Sequence, residues 1–340
     1  MNAWSDIVLT GIYTLTPTHF GTGQTTGAVD LPVARDESTR FPVLPATGLK
    51  GVARDYLTGA LDSKAGDCLF GKSLDGADRA DTLEAGLLAF TEARLIVYPV
   101  RSLNRPFLHA TCRLILERLA RDLRAMGLTG FLPEQWKFPE AKGVKALVAD
   151  ETLAGKALVL EDLVYGGEEV AALPSLQQLG NRLGELLPPD EEDTCRRLAS
   201  GIVVVPDEDF TDLMQRVIPV RARIKLTGGK TTDRWENPET GAVETGNLWY
   251  EEHLPSDCLF VSFIGERRQR TFFQGTGTRS RGYSLATFKD QAGQLRLVQI
   301  GGNESVGQGL CYWTLWSPKV TVKLDSVLED STSQIQGGTP

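Results

Sequence analysis

The stretch from Thr16 to Tyr56 constrains this chain more than any other. It reads T-P-T-H-F-G-T-G-Q-T-T-G-A-V-D-L-P-V-A-R-D-E-S-T-R-F-P-V-L-P-A-T-G-L-K-G-V-A-R-D-Y. A strand-like run, Ile7 to Leu15, leads into it, and an amphipathic helix, Leu49 to Leu61, leaves it. Between them stand Gly21, Gly23 and Gly27, then Asp30, then the mixed group Arg35, Asp36, Glu37 and Arg40. Glycines at this spacing let backbone N–H groups approach an anion. Lys50 and Arg54, four apart, share one helix face. The combination reads either as a surface for a phosphate chain with Asp30 set against it, or as an ordinary Gly/Pro-rich connection. It is not a mononucleotide P-loop, which needs four residues between its glycines and then Gly-Lys-Ser/Thr.

Composition narrows the class. With 340 residues, 41% of them hydrophobic, the chain can build one large domain with insertions or two modest ones. A formal net charge of −8 argues against a free, non-specific nucleic-acid binder, yet a local basic groove can oppose the net charge. The five cysteines, Cys68, Cys112, Cys195, Cys258 and Cys311, are scattered with no C-x-x-C pair. That suggests neither a zinc knuckle nor a disulfide framework and points to a reducing, cytoplasmic setting. The sequence starts with no basic region followed by an apolar core, so no signal peptide is expected. No uninterrupted apolar run would span a bilayer, so no membrane partner is expected either.

Farther along, Thr47 is a plausible N-cap for the first helix. Asp62 to Ala85 reads as mostly irregular around a small anchor at Cys68 to Gly71. Leu87 to Val100 reads as one bulged strand or two pieces, ended by Pro99. Thr111 to Met126 is the clearest helix, with Leu116, Leu119, Leu123 and Met126 in one stripe and Gly127 as its C′ residue. His109, just before it, reads as a cap or surface residue. Phe131 to Ala141 reads as an anchored loop, Leu158 to Val164 as a strand, and Leu173 to Leu187 and Asp190 to Ala199 as short helices. Gly201 to Val205 is a buried strand, and Asp207 caps a helix through Arg216. Val220 to Leu226 alternates, predicting a half-buried strand with Arg221, Arg223 and Lys225 on its basic face. A long polar stretch, Thr227 to Thr245, and a returning strand, Gly246 to Pro255, predict a protruding hairpin. Trp249 and Tyr250 near its base read as core or as platforms for stacked bases. Leu259 to Ile264, Gln294 to Ile300 and Leu310 to Trp316 read as further strands. Between them Glu266 to Arg281 is the strongest basic patch, with five arginines including Arg279 and Arg281. The whole suggests an α+β fold around a βαββαβ core with insertions.

The motifs together resemble the RAMP-superfamily backbone subunit of type III-B, or Cmr-type, CRISPR interference complexes. The resemblance is carried by T-P-T-H-F-G-T-G from Thr16, G-A-V-D-L-P-V-A-R-D from Gly27, P-A-T-G-L-K-G-V-A-R from Pro45 and F-T-E-A-R-L-I-V-Y-P-V-R-S-L from Phe90. V-V-V-P-D-E-D-F from Val203, G-N-L-W-Y-E-E-H-L-P from Gly246 and I-G-G-N-E-S-V-G-Q-G-L from Ile300 continue it. It runs to about Trp316. Two departures stand out: Thr47 and Gly48 replace a serine pair frequent before Leu-Lys-Gly, and Gln308 replaces an arginine frequent in the last loop.

The resemblance implies a modified ferredoxin-like, RRM-like palm with a helical insertion and a protruding β-hairpin thumb. In residues, it implies palm and Gly-rich loop over 1–100, a mainly helical insertion over 101–200 and palm again over 201–226. The thumb would follow over 227–255, the palm's end over 256–320 and a loose tail over 321–340. Implied partners are a CRISPR guide RNA, a complementary target RNA, further copies head to tail and the other subunits of the complex. The target would be cut at six-nucleotide intervals, beside nucleotides that the thumbs displace. Asp30 is the residue implied for cutting and for holding a divalent metal ion, Mg2+ or Mn2+. His19, Glu251 and Glu252 are candidate helpers. Candidate RNA contacts are Gly21, Gly23, Arg35, Lys50, Arg54, Arg221, Arg223, Trp249, Tyr250, Arg279, Arg281, Gly301, Gly302 and Asn303. The type III-A backbone subunit, a catalytically silent scaffold of the same fold and a metabolic enzyme with a phosphate pocket stand as alternatives.

Overall fold

The structure, a computed structural model, describes residues 3–21, 23–24, 27–61, 63–72, 85–132, 143–226, 234–236, 243–245, 248–268, 282–293 and 295–316, with 234–236 and 243–245 as backbone. β1 (Trp4–Thr14) is buried on both faces from Val8 onward, as a branched, apolar central strand requires. After the Gly-rich stretch come β2 (Val43–Leu44) and α1 (Ala46–Thr58), which buries Leu49, Ala53 and Leu57 at helical spacing. α2 (Ser63–Phe70), β3 (Leu88–Phe90), β4 (Ala93–Arg101) and β5 (Phe107–Cys112) lead to α3 (Arg113–Ala125), with Ile115, Leu116, Leu119 and Leu123 buried. Short strands β6 (Ala146–Val148), β7 (Leu158–Leu160), β8 (Leu163–Tyr165) and β9 (Val170–Ala172) follow. Then come α4 (Pro174–Gly184), α5 (Glu192–Gly201), β10 (Ile202–Val205) and α6 (Asp207–Arg216). β11 (Val220–Ile224), β12 (Arg234–Glu236), β13 (Val243–Thr245) and β14 (Leu248–Glu252) precede β15 (Leu259–Arg267). α7 (Leu285–Ala292), β16 (Leu297–Gln299) and β17 (Leu310–Trp316) close the described chain.

Among the described residues one mixed sheet runs β16–β17–β1–β15–β4–β5–β10–β6–β9, with β2 added on β4 and β3 on β15. The first strand is held by the last ones: Leu9 lies opposite both Phe263 of β15 and Trp316 of β17. Pairing is antiparallel from β16 through β5, whereas β5–β10 and β6–β9 are parallel. Phe70, Phe90 and Phe288, with centroids 6.1 to 6.4 Å apart, join α2, β3 and α7. Phe131 stands edge-on to Trp316 at 5.2 Å and fastens the segment after α3 to β17. β11 and β14 form a separate two-stranded ribbon, and β12 and β13 another. Among the described residues no helix is long and apolar enough to cross a membrane.

Several expectations need correction. α1 starts at Ala46 with Pro45 at its cap position, so Thr47 is not the N-cap. Asp62 to Ala85 is not all irregular: α2 forms and buries Leu69 and Phe70, while 73–84 lie outside the described residues. Pro99 does not end its ladder. Pairing with β15 stops at Val97, so Pro99 has β5 on one edge only, where a missing N–H is tolerated. Thr111 and Cys112 belong to β5, and the helix begins after them. Gly127 does take the left-handed C′ conformation, at φ +75°. Leu158 to Val164 is a hairpin, with Glu161 at φ +53° between β7 and β8. Asp207 sits inside α6, and its carboxylate accepts the N–H of Leu114 at 2.9 Å, capping α3 instead. The stretch 101–200 holds α3, α4 and α5 but also β5 to β9, of which β5, β6 and β9 extend the main sheet.

His109 is neither cap nor surface. It lies in β5, 1% exposed, edge-on to Phe107, and neither ring nitrogen has a hydrogen-bond partner. Burial, with Arg197 nearby, pulls its pKa down to about 3. The unfolded imidazole titrates near ~6.5. The stabilisation from keeping it neutral is therefore complete above that pH and lost as pH falls from there towards 3, at up to ~1.4 kcal/mol per pH unit. Urea midpoints should fall steeply between pH 7 and pH 4.5, and His109→Leu should remove about one proton's worth of that slope. An unchanged slope would mean that this ring does not couple to folding.

Candidate functional site

The Gly-rich stretch is laid along β14. Thr18 and Leu254 exchange backbone hydrogen bonds at 2.9 and 2.8 Å. Farther along, Leu31 donates to the Tyr250 carbonyl and accepts from the Glu252 N–H, both at 3.0 Å. β14 thus has β11 on one edge and the Leu31 segment on the other. Pro32 favours this extended path, because the residue before a proline is pushed away from helix. Asp30 is carried to the same edge. It is half-buried, and its Oδ2 accepts the N–H of Tyr250 at 2.8 Å. One accepted bond leaves a carboxylate most of its lone pairs.

Beside it, Glu251 is a buried hub, 3% exposed. Arg223 Nε donates to its Oε2 at 3.0 Å and Asn303 Nδ2 to its Oε1 at 2.7 Å. His19 Nδ1 and His253 Nε2 each lie 3.6 Å from it. Arg223 also donates to Gln308 Oε1 at 3.0 Å, so the residue standing where the resemblance expects arginine is an acceptor for an arginine of the ribbon. Glu252 is equally engaged: its Oε1 holds Arg35 at 3.0 Å and its Oε2 accepts the Val33 N–H at 3.0 Å. His19 Nδ1 is 2.7 Å from the Glu252 carbonyl. A carbonyl only accepts, so Nδ1 is the donor in this contact. Burial pulls His253 down to about 4, against the opposite pull of Glu251, so it is neutral at neutral pH.

Two glycines permit this packing. A Cβ on Gly21 would come 2.5 Å from His19 Nε2. Gly301 has φ +88°, and a Cβ there would meet the His19 carbonyl at 2.1 Å, which itself accepts the Gly302 N–H at 3.1 Å. The two Gly-rich loops and the ribbon's base therefore meet at His19.

The other expected residues divide. Gly23 has φ +104° and open space around it. The Arg35 guanidinium is turned inward, onto the Met214 and Arg40 carbonyls as well as Glu252. Lys50 is half-buried, and burial together with Arg267 and Arg54 holds its pKa below the usual lysine range, so three cations converge there. Arg54 is 3.7 Å from Asp67. Arg221 is exposed, with no ion pair or side-chain hydrogen bond among the described residues. Trp249 is half-buried, whereas Tyr250 is 44% exposed and not core. Arg279 and Arg281 lie outside the described residues. β11 is not half-buried: Val220, Ile224 and Leu226 are exposed along with Leu248 and Tyr250 of the ribbon, because none of the described residues packs on that side. Sequence reasoning missed His253. Its place two residues after Glu251 in a strand put both on one face, the signal that could have found it.

No three His, Cys, Asp or Glu side chains converge as a metal cage among the described residues. Glu251 and Glu252 are committed to other partners, which leaves Asp30 as the carboxylate open to a cation. That donor set fits an ion completed by phosphate oxygens and water, not an all-protein cage.

The sequence profile of the RAMP superfamily matches residues 11–312. The chain is 33% identical over 318 residues to the CRISPR system Cmr endoribonuclease Cmr4 of Pyrococcus furiosus, covering 90% of this chain and 95% of that protein. It is 24% identical over 302 residues to the CRISPR system CMR subunit Cmr4 of Saccharolobus solfataricus, covering 83% and 87%. The crystal structure of oligomeric Cmr4 from Pyrococcus furiosus matches with a TM-score of 0.64 at 26% identity, over 91% of this chain and 97% of that one. A chain of the type III-B Cmr-beta complex bound to cognate target RNA shares the fold, with a TM-score of 0.64 at 20% identity over 92% and 98%.

Proposed function

The chain belongs to the RAMP superfamily, and on that premise we propose that it is the repeated backbone subunit of a type III-B, Cmr-type CRISPR ribonucleoprotein. It binds guide RNA in a helical filament and cuts complementary target RNA at six-nucleotide intervals, in antiviral defence. The observation that carries the nuclease reading is Asp30: a carboxylate fixed by the Tyr250 N–H at the ribbon's edge, in a chain one-third identical to a protein named an endoribonuclease. The strand order β17–β1–β15–β4, with α1 and α7 as connections, supports a ferredoxin-like palm. The ribbon of β11 and β14 supports the thumb reading, with Lys50, Arg54, Arg267 and Arg221 as its neighbouring phosphate contacts.

Head-to-tail copies make a heterologous interface, which grows into a helix instead of closing. Backbone amides and cations hold the RNA without reading it, and pairing to the guide supplies specificity. A Mg2+ or Mn2+ ion, if bound, would sit on Asp30 and neutralise phosphate charge. Reconstitution with guide and labelled target tests the reading: cuts should fall at six-nucleotide spacing and binding should weaken with salt. A complex that cuts identically without this chain would refute it.

The exposed apolar side of the ribbon supplies a further expectation. Ile224→Glu or Leu248→Glu should leave the monomer folded, since both side chains are about half exposed, at 49% and 52%. Affinity at each copy-to-copy contact on guide RNA should fall at least about tenfold, which shortens the filaments. Unaltered filaments by light scattering or electron microscopy would place the inter-copy contact elsewhere.

A further inference from the structure

A cleft of about 370 Å3 opens at the base of the ribbon, on the β11 side. Its walls are unusually rich in rings: Pro17, Pro99, Pro106, Pro219, Pro255 and Phe107. Two features make it more than an apolar crevice. Arg221 lines it with a guanidinium that has no acid partner among the described residues. His253 also lines it, 1% exposed, and both of its ring nitrogens lack a hydrogen-bond partner. Its Nε2 lies 3.6 Å from Glu251 and Nδ1 has no such neighbour, and a buried ring nitrogen without a hydrogen bond is costly and marks a place where a ligand can supply one. The volume lies at the small end of the ~300–1,000 Å3 range of ligand sites.

We propose that this cleft is a nucleotide subsite, taking one unstacked base of the bound RNA against its proline and phenylalanine walls, with a phosphate on Arg221. The ring-lined walls suit a flat heteroaromatic, and His253 offers the base edge a hydrogen bond. The cation and the unpartnered imidazole favour an RNA nucleotide over an apolar protein segment. The location agrees. Arg221 lies opposite Glu251, and Glu251 lies beside Leu31. Two strand spacings, about 10 Å, therefore separate Arg221 from the segment bearing Asp30. The base held here belongs to a near neighbour of the nucleotide cut at Asp30. The subsite rests on the reading of the chain as a target-RNA nuclease.

The test uses the assembled complex with target RNA made uncleavable by 2′-deoxy sugars at the cut positions. 5-Iodouridine is placed in turn at each position of one interval, and photo-crosslinks are mapped by mass spectrometry. Crosslinks to Phe107 or His253 should come from one position within two nucleotides of the cut and not from mid-interval. With cleavable target, Phe107→Leu and Arg221→Gln should each raise the target KM about tenfold with kcat retained. Crosslinks confined to other segments, or unchanged KM in both variants, overturn the subsite. Crosslinks of Phe107 to another copy of the chain overturn it too and assign the cleft to a protein interface. Each of these outcomes leaves the nuclease reading standing so long as the wild-type complex cuts and Asp30→Asn does not.

Discussion

Asp30→Asn is expected to abolish target cutting at every site, by at least a hundredfold, while guide and target binding stay within about twofold. The substitution is clean because an asparagine carbonyl can still accept the Tyr250 N–H, so the hydrogen bond holding the segment to β14 survives. What is lost is the charge. RNA brings its own nucleophile, the 2′-hydroxyl, so the protein needs no serine or cysteine. The 2′-oxygen must come into line with the departing 5′-oxygen, a geometry that stacked A-form RNA denies and a displaced base allows, at a cost of a few kcal/mol. As the 2′-oxygen bonds to phosphorus and the 5′-oxygen leaves, the 2′-proton must be taken up. On the proposed reading Asp30 would hold a divalent ion against the phosphate or accept that proton. His19, whose Nδ1 faces the Glu252 carbonyl, offers Nε2 as the second candidate acceptor. Products should carry 5′-hydroxyl and 2′,3′-cyclic phosphate ends, and a chelator should stop the reaction. Wild-type cutting by the Asp30→Asn complex would reduce Asp30 to an anchor for β14 and leave the scaffold reading in possession.

Glu251→Gln should cost on the order of 3 kcal/mol of stability and slow cutting by loosening the ribbon's base. Both Arg223 and Asn303 donate to Glu251, one to each oxygen. A glutamine keeps one oxygen for Arg223 and turns its NH2 group on Asn303, whose amide must rotate to accept it, and the Arg223 guanidinium loses its carboxylate. Asn303→Asp should partly rescue it, because the new carboxylate accepts what the amide donates. The double-mutant cycle then shows a favourable coupling above ~1 kcal/mol. Urea unfolding and amide exchange in β11 and β14 provide the readouts. Additivity across the cycle would mean that Glu251 and Asn303 do not act through their shared bond.

How much of this was legible in the sequence follows from the kind of information each feature needs. The long elements were readable because their periodicity is local: α3 from its leucine stripe, β10 from its valines, α1 from Leu49, Ala53 and Leu57. β6 and β9, three residues each, are too short to carry a period. The alternation of β11 was read correctly and its burial wrongly, since alternation says which residues share a face and only the neighbouring layer says whether that face is covered. Asp207 has the chemistry of a cap, and the fold uses it for a different helix, 93 positions away. The site follows the same rule. Asp30 was singled out from its motif, but its hold on Tyr250 spans 220 positions and could not be read from spacing. Glu251 and Glu252 were expected as helpers at the chemistry. The structure gives both of them arginine partners, a role set entirely by what packs around them.

The placement of β1 between β15 and β17 bears on how the protein comes into being. A ribosome exposes Leu9, Ile12 and Tyr13 at the outset, yet their partners lie far downstream, Leu9 pairing with Phe263 and Trp316. At ~5–20 residues per second, roughly a quarter to nearly a full minute of synthesis separates them. Throughout that interval a strand buried from Val8 onward in the finished fold has two open edges. A clone truncated before Leu310 would leave one of those edges open permanently.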